Sequence, residues 1–155
     1  MRFWRLSEVR YAQNFDGGYG LRYDGRWSTR GHAVTYCSTV ASLCALEKRV
    51  HVLDPDLMPE QLMVEYEAAD DLPKTEITLE QLPIDWVHRQ AHTQRLGDGW
   101  LEQGSEPLLI VPSAIVPIAS APDRNLLINH RHSDASSIRI VDAFPFILDA
   151  RLFRR

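Results

Sequence analysis

The stretch from Asp24 to His51 constrains the fold more than any other part of the chain, because turn signals, a buried strand and a helix follow one another directly. Asp24-Gly25 is typical of a turn, and Arg30-Gly31 indicates a second one. Arg26-Trp27 opens a short extended piece between them. The run 33–37, AVTYC, then predicts a mostly buried strand.

A helix is predicted from about Thr39 to His51. The side chains of Ser38 and Thr39 can accept hydrogen bonds from the free N–H groups of a helix start. The apolar residues that follow recur at helical spacing: Val40, Leu43, Cys44 and Val50. We expect this side of the helix to face the core.

Glu47 interrupts that apolar side of the helix, and a carboxylate facing the core is costly unless something pairs with it. Lys48 and Arg49 project from other sides of the helix, so Arg26 on the preceding segment is a candidate partner. Two interpretations remain open from the spacing alone. Glu47 is either one half of a structural ion pair or a catalytic carboxylate held in a cleft.

Several blocks of the sequence, in order and over nearly the whole chain, resemble the RES-domain family. The blocks are Gly25-Arg26-Trp27 with Gly31, then Tyr36, Glu47 with His51, Val111-Pro112-Ser113-Ala114 with Pro117, and Leu127-Ile128-Asn129 with His132 and Asp134. One departure is Ser28, because the family usually has asparagine after the Gly-Arg-Trp. We expect Ser28 to supply a similar turn hydrogen bond.

The resemblance implies the fold of the ADP-ribosyltransferase toxins and the activity of a bacterial toxin from a toxin–antitoxin pair. Such a toxin would cleave NAD⁺ at the nicotinamide–ribose bond, with water or phosphate as acceptor. Transfer of ADP-ribose onto a host protein is the second possibility. The third is a non-catalytic binding module in which Arg26 and Glu47 form a buried ion pair.

The resemblance also implies site residues, whose chemistry suits NAD⁺ cleavage. Arg26 can hold pyrophosphate or ribose oxygens with its planar fork, and Glu47 can stabilise an oxocarbenium-like ribose. Tyr36 can stack on a flat ring, and Ser113, at the end of a predicted strand 108–111, can orient a ribose or amide group. These four are the predicted catalytic residues. Arg26, Tyr36, Ser113 and Asn129 are the predicted substrate-binding residues.

As partner, the resemblance implies an antitoxin with an Xre-like DNA-binding domain that blocks the active site, and hence a hetero-oligomer. NAD⁺ is then a substrate, and no cofactor is expected. His88 and His92 share the spacing of some zinc ligands, but arginine follows the first histidine and no third ligand is evident. We therefore predict no metal site.

The rest of the chain predicts a single compact α+β domain over residues 1–155, since many short strands alternate with few helices and show no βαβ rhythm. Strands are predicted at Phe3–Leu6, Lys74–Leu79, Leu126–Asn129, Ser136–Val141 and Phe144–Leu148. Residues 60–66 suit either a strand or a helix. Residues 83–89 and 93–102 are expected to be helical or irregular. The glycine-rich run 14–20 is expected to form a loop, either a plain one or, second, one at the rim of a site that could close over a ligand.

Charge and hydropathy exclude several classes of protein. The net charge of −4 without a basic patch argues against direct binding to nucleic acid. No apolar run approaches the ~20 residues of a membrane span, and the polar N-terminus is unlike a signal peptide, so a cytoplasmic location is expected. Cys37 and Cys44 are expected to be reduced core residues. Arg151, Arg154 and Arg155 are expected to form a solvated tail.

Overall fold

The computed structural model describes residues 1–153, which form one mixed seven-stranded sheet with strand order β4-β5-β6-β2-β1-β3-β7. The strands are β1 (Arg2–Glu8), β2 (Val34–Ser38), β3 (Gln61–Glu67), β4 (Lys74–Glu76), β5 (Leu108–Pro112), β6 (Arg124–Asn129) and β7 (Arg139–Phe146). The helices are α1 (Gly18–Arg22), α2 (Ala41–His51) and α3 (Gln90–Gln103). Neighbouring strands are antiparallel, except that β4 and β5 are parallel.

The predicted α+β class is confirmed, and most predicted strands lie within a residue or two of the observed ones. The ambiguous segment 60–66 is strand β3, which pairs with β1 over its whole length. The two alternating segments predicted at 136–141 and 144–148 overlap one strand, β7, which pairs with β3 around a bulge, while Ser136 and Ser137 belong to a preceding 3-10 turn. The segments 83–89 and 93–102 contain a 3-10 turn at Trp86–His88 and helix α3.

The glycine-rich run 14–20 is not a plain loop, because helix α1 begins inside it. Gly17 precedes α1 with φ 71°, a left-handed conformation that suits glycine. A Cβ at Gly20 would lie 2.5 Å from Cγ1 of Val34 and 2.6 Å from the carbonyl oxygen of His32. These glycines therefore let α1 lie directly against the start of β2, a packing requirement that their composition does not reveal.

Helix α2 begins two residues later than predicted, and no side chain caps it. Ser38 is instead the last residue of β2, and its hydroxyl donates to Oδ1 of Asn125 at 3.2 Å. Thr39 follows the strand, and its backbone N–H donates to the carbonyl of Arg124 on β6 at 2.9 Å. Val50, predicted to face the core, is 56 % exposed. Leu43 and Cys44 anchor the helix as expected, and both are buried.

Apolar side chains cover both faces of the sheet. The first face has a core built around Phe3, Cys37, Tyr66, Leu108, Leu126 and Ile128. The second face packs under α3 and the turn at 86–88, with a core built around Trp27, Val34, Trp86, Trp100, Leu109 and Leu127. We call this second face the tryptophan face. Because alternate residues of a strand share a face, Tyr36 and Ser38 follow Val34 on the tryptophan face.

Cys37 and Cys44 are buried and free, as predicted. Arg151 is exposed and bonds the carboxylate of Asp149, whereas Arg154 and Arg155 lie outside the described residues. No helix within residues 1–153 has the length and hydropathy needed to cross a membrane.

Candidate active site

The ends of β2, β5 and β6 bring polar side chains together on the tryptophan face. Ser38 closes β2 opposite Asn125, and Asn125 also lies opposite Val111 near the end of β5. Ser113 follows the last residue of β5, two positions after Val111. Glu47 reaches this strand end from helix α2. Four polar residues from separate elements therefore meet at one end of the sheet.

The carboxylate of Glu47 is held through one oxygen. Oε1 accepts a hydrogen bond from Nδ2 of Asn125 at 2.8 Å and another from Oγ of Ser113 at 3.2 Å. Within residues 1–153, no side chain or backbone group bonds the other oxygen, Oε2. Glu47 is only partly buried, so Oε2 is the oxygen left for a ligand.

Among residues 1–153, Arg26 and Glu47 do not form an ion pair, so the interpretation of Glu47 as one half of that pair is wrong. The guanidinium of Arg26 donates from Nη1 to the backbone carbonyl of Val87 at 3.0 Å and lies 5.9 Å from the ring centre of Trp86. Neutral donors bond Oε1 of Glu47 instead, because the strand end carries an amide and a hydroxyl where the cation was a candidate. Neither charge neutralises the other, so both can act on a ligand.

Ser113 uses its hydroxyl completely inside the protein. The side chain is fully buried, and its oxygen accepts hydrogen bonds from the backbone N–H groups of Ile115 at 3.0 Å and Val116 at 3.2 Å while donating to Glu47. A hydroxyl offers one proton and two acceptor sites, and all three are occupied. The geometry therefore supports Ser113 as a residue that holds Glu47 and the following loop rather than one that touches a ligand.

The loop after Ser113, residues 113–123, is also tied down from the strand that follows it. The guanidinium of Arg124 donates to backbone carbonyls at four positions of the loop: Ile118, Ala119, Ala121 and Asp123. One side chain thus replaces the regular backbone pairing that the loop lacks. The loop that starts at Ser113 has a defined path next to Glu47.

Tyr36 lies on the same face, two residues before Ser38 on β2, which corresponds to about 6.6 Å along a strand. Its hydroxyl lies 2.8 Å from Oγ of Ser28 and accepts a hydrogen bond from the backbone N–H of Trp27 at 3.1 Å. Burial raises the pKa of Tyr36 to about 12, so the phenol is neutral at physiological pH. The hydroxyl therefore fixes the segment that carries Arg26.

The segment around Arg26 is fastened to helix α3 as well. Oγ1 of Thr93 donates to the carbonyl of Arg26 at 2.6 Å, and the carboxylate of Asp98 accepts from the backbone N–H and the hydroxyl of Thr29 at 2.9 and 2.8 Å. A Cβ at Gly25 would lie 2.4 Å from Oη of Tyr36, so the chain passes the ring closely. Arg26 is thus anchored through its backbone beside Tyr36, while its side chain stays partly exposed.

Asn129 lies at the opposite end of β6 from Asn125, four residues away, and pairs with Val34. It is 1 % exposed, and its amide is bonded to the carbonyl of Leu101 at 3.4 Å and the backbone N–H of Arg131 at 3.0 Å. The structure brings Glu47 and Ser113 into direct contact at one end of β6, and it places Tyr36, two residues before Ser38, against the segment that carries Arg26. Asn129 makes no contact with Glu47, because it lies at the other end of that strand.

The sequence analysis missed Asn125 and assigned Ser38 to the wrong element. The signal was present, because Asn125, Leu127 and Asn129 alternate on β6 and therefore share a face. Which of the two asparagines lies near Glu47 depends on strand register, and register is not readable from one strand alone. Among residues 1–153, no three histidine, cysteine or acidic side chains are grouped in a way that could hold a metal ion.

The chain is similar to known proteins over nearly its whole length. The RES domain family model matches residues 2–149. The chain is 35 % identical to Toxin Res of Yersinia enterocolitica (98 % of this chain, 99 % of the relative) and 36 % identical to Toxin Res of Pseudomonas putida (99 % and 100 %). It is 31 % identical to the Prs ADP-ribosylating toxin of Sphingobium sp., over 99 % of this chain and 97 % of the relative.

The fold resembles that of a solved toxin. A chain in the crystal structure of the M. tuberculosis MbcT–MbcA toxin–antitoxin complex superposes with a TM-score of 0.77, covering 94 % of this chain and 84 % of that one at 14 % identity. At this identity the likeness concerns the fold alone. The family model and the relatives agree over nearly the whole length, and on that basis the chain belongs to the RES-domain family.

Proposed function

We propose that this protein is the toxin of a toxin–antitoxin pair and that it degrades NAD⁺ by cleaving the nicotinamide–ribose bond. The observation that carries the proposal is the state of Glu47. Its carboxylate is fixed at Oε1 by two neutral donors, has no partner among the described residues at Oε2, and shares a sheet face with Tyr36. In a RES-domain chain, a carboxylate held in this way can stabilise the positive charge that develops on the ribose.

The chemistry makes few demands on proton transfer. Nicotinamide leaves NAD⁺ as a neutral molecule, and the ribose carbon that it leaves develops oxocarbenium character. A fixed carboxylate stabilises that positive charge and can accept a hydrogen bond from a ribose hydroxyl. Glu47 serves in this role through Oε2. Water or phosphate then attacks the ribose carbon and completes the reaction.

Arg26 and Tyr36 bind the dinucleotide in this proposal. Nη1 of Arg26 is engaged with Val87, and its remaining N–H groups are available to pyrophosphate or ribose oxygens. Tyr36 is partly exposed and offers a ring to a flat base, while its hydroxyl remains with Ser28. Ser113 acts through Glu47, because its hydroxyl has no free site. Asn129 would contribute only indirectly, by holding the far end of β6.

The partner in this proposal is an antitoxin with an Xre-like domain that covers the site and forms a hetero-oligomer with the toxin. The structural neighbour MbcT was crystallised as a complex with its antitoxin, which supports a protein inhibitor for this chain. Any contact with DNA belongs to the antitoxin, given the net charge of −4 on the toxin. NAD⁺ is the substrate, no other cofactor is required, and the proposed location is the cytoplasm.

Transfer of ADP-ribose to a protein is the second candidate, favoured by the name of the Sphingobium relative, an ADP-ribosylating toxin. Both reactions pass through the same ribose cation, and they differ only in the acceptor. The alternative of a non-catalytic binding module is not supported. It required an ion pair between Arg26 and Glu47, whereas Arg26 bonds the carbonyl of Val87.

Incubation of the purified protein with NAD⁺ tests the proposal and separates the acceptors. Free nicotinamide indicates cleavage. ADP-ribose as the second product identifies water as the acceptor, and formation of ADP-ribose 1-phosphate when phosphate is added identifies phosphate. Adenine label retained on protein identifies transfer. Glu47→Gln is the matched control. Folded wild-type protein that releases no nicotinamide, and whose expression without antitoxin leaves growth and cellular NAD⁺ unchanged, would contradict the proposal.

A further inference from the structure

Asn125 makes the shortest hydrogen bond to the Glu47 carboxylate, at 2.8 Å. The proposed reaction assigns it no role. Its amide lies between two polar side chains: Nδ2 donates to Oε1 of Glu47, and Oδ1 accepts from Oγ of Ser38 at 3.2 Å. The amide orientation is therefore determined, because a carboxylate accepts only from the NH₂ group. Ser38 is 3 % exposed, so water does not compete for this contact.

We infer that Asn125 is a positioning residue, oriented by Ser38, that fixes Oε1 of Glu47 so that Oε2 faces the substrate ribose. The inference rests on the proposed function. Asn125 on β6 and Ser113, just after β5, donate to the same oxygen from different positions, which prevents the carboxylate from rotating about its last bond. A carboxylate held by only one donor would lose part of that orientation, and a small misplacement of a reacting group is costly.

The sheet itself determines where the Asn125 amide lies. Asn125 pairs with Ser38 on one side and with Val111 on the other, so strands on both sides hold its backbone. A group on a central strand is placed more accurately than one on a loop. Glu47, by contrast, lies on the surface of α2, and its longer side chain needs this external support.

Asn125→Ala removes the donor and keeps the strand. We expect kcat for nicotinamide release to fall by about 10- to 100-fold while KM changes by less than about threefold, because orientation of the carboxylate is lost and Arg26 still binds the dinucleotide. A purely structural role predicts a lower yield or melting temperature, with unchanged kcat per folded molecule.

Asn125→Asp gives a sharper test, because aspartic acid can donate a hydrogen bond only when it is protonated. At low pH the protonated side chain replaces the amide as donor to Glu47, whereas at higher pH two carboxylates face each other. We expect activity near the wild-type value at low pH and a new loss of activity as pH rises. Gln103→Glu, the same change of chemistry on an exposed residue at the end of α3, should leave the wild-type profile in place.

Two results would overturn the inference: unchanged kcat in Asn125→Ala, or parallel pH profiles for Asn125→Asp and wild type. If the wild type itself releases no nicotinamide, the proposed function fails separately. The ¹³C signal of the Glu47 carboxyl group then decides the positioning role without turnover. A change of that signal in Asn125→Ala supports the contact, and an unchanged signal refutes it.

Discussion

The hydroxyl oxygens of Ser28 and Tyr36 lie 2.8 Å apart, and the Ser28 side chain is completely buried. Ser28 was expected to supply a turn hydrogen bond in place of the asparagine usual in the family. Its hydroxyl instead joins the Gly-Arg-Trp segment to strand β2, while the backbone carbonyl of Ser28 accepts from the N–H of Gly25 at 2.8 Å. The residue therefore affects the position of Arg26 through Tyr36.

Ser28→Ala should lower the free energy of unfolding by about 1 kcal/mol, since one neutral hydrogen bond is lost and Tyr36 keeps its bond from Trp27. Activity should fall only mildly. Ser28→Asn restores the family residue but adds volume at a site without space, so a cost of about 1 to 3 kcal/mol is expected. Chemical denaturation of the three proteins checks both values, and an Asn variant as stable as wild type would show that the pocket adapts.

Glu47→Gln should separate catalysis from stability. The amide oxygen can still accept from Asn125 and Ser113, and its NH₂ group takes the place of Oε2, so the packing is kept. The melting temperature should change little, whereas nicotinamide release should fall by about 100-fold or more because the charge facing the ribose is gone. A large fall in melting temperature with intact activity per folded molecule would make Glu47 structural.

Arg26→Lys should impair NAD⁺ cleavage nearly as much as Arg26→Ala. Arginine donates to the Val87 carbonyl and still presents further N–H groups, whereas a single ammonium cannot reproduce a planar fork. We expect both variants to raise KM for NAD⁺ and lower kcat/KM, measured by nicotinamide release. If the lysine variant kept most of the activity, the positive charge alone would be sufficient for binding NAD⁺, and the planar fork would not be needed.

His130 should make the protein less stable in acid. Burial lowers the pKa of His130 from its ordinary value to about 4, and Oγ1 of Thr35 lies 2.8 Å from its Nε2. Because the unfolded chain binds a proton near pH 6.5 and the folded chain does not, stability is complete above that pH and is lost as pH falls towards 4.

After allowance for partial solvent screening, we expect a loss of about 1 to 2 kcal/mol at pH 4.5 relative to pH 7. His130→Gln keeps a side chain that can bond Thr35 and removes the titration. Urea denaturation at the two pH values should therefore show a smaller pH dependence in the variant. An equal dependence in both proteins would assign the acid sensitivity to other groups.

Two glycines in α3 form a matched pair. A Cβ at Gly97 would lie 1.7 Å from the carbonyl oxygen of Trp27, whereas a Cβ at Gly99 would meet nothing within 4 Å. Gly97→Ala should cost about 3 kcal/mol, because α3 must move away from the segment next to Arg26. Gly99→Ala should add about 0.5 to 1 kcal/mol through helix propensity. Melting curves of both variants check the contrast, and equal effects would contradict it.

The sequence predicted the elements better than their contacts. The apolar run at 33–37 and the helical spacing of Leu43 and Cys44 determine β2 and α2, because burial of those residues follows from local pattern. The position of Ser113 just after a buried strand was equally readable. These features depend on neighbours in sequence, and the structure reproduces them within a few residues.

The contacts of Glu47 could not be derived in the same way. Its donors lie 66 and 78 positions away, and which polar residue reaches it depends on the register of β2, β5 and β6. An unpaired carboxylate and a nearby arginine suggested an ion pair, but the strand end supplied an amide and a hydroxyl. Helix α1 was missed for a related reason: its glycines are required by close packing against the start of β2, and local helix propensity does not show that packing.

The distance in sequence between Glu47 and Asn125 determines how much of the chain must be synthesised before the proposed active site can form. Strand β6 lies between β5 and β2, so these two strands cannot join in one sheet until the ribosome has produced about four fifths of the chain. A chain that ends before β6 lacks the Asn125 donor to Glu47, and non-local strand pairing is slow to form. The proposed toxicity therefore requires a chain that is complete through β6, because only then can both described donors hold the Glu47 carboxylate.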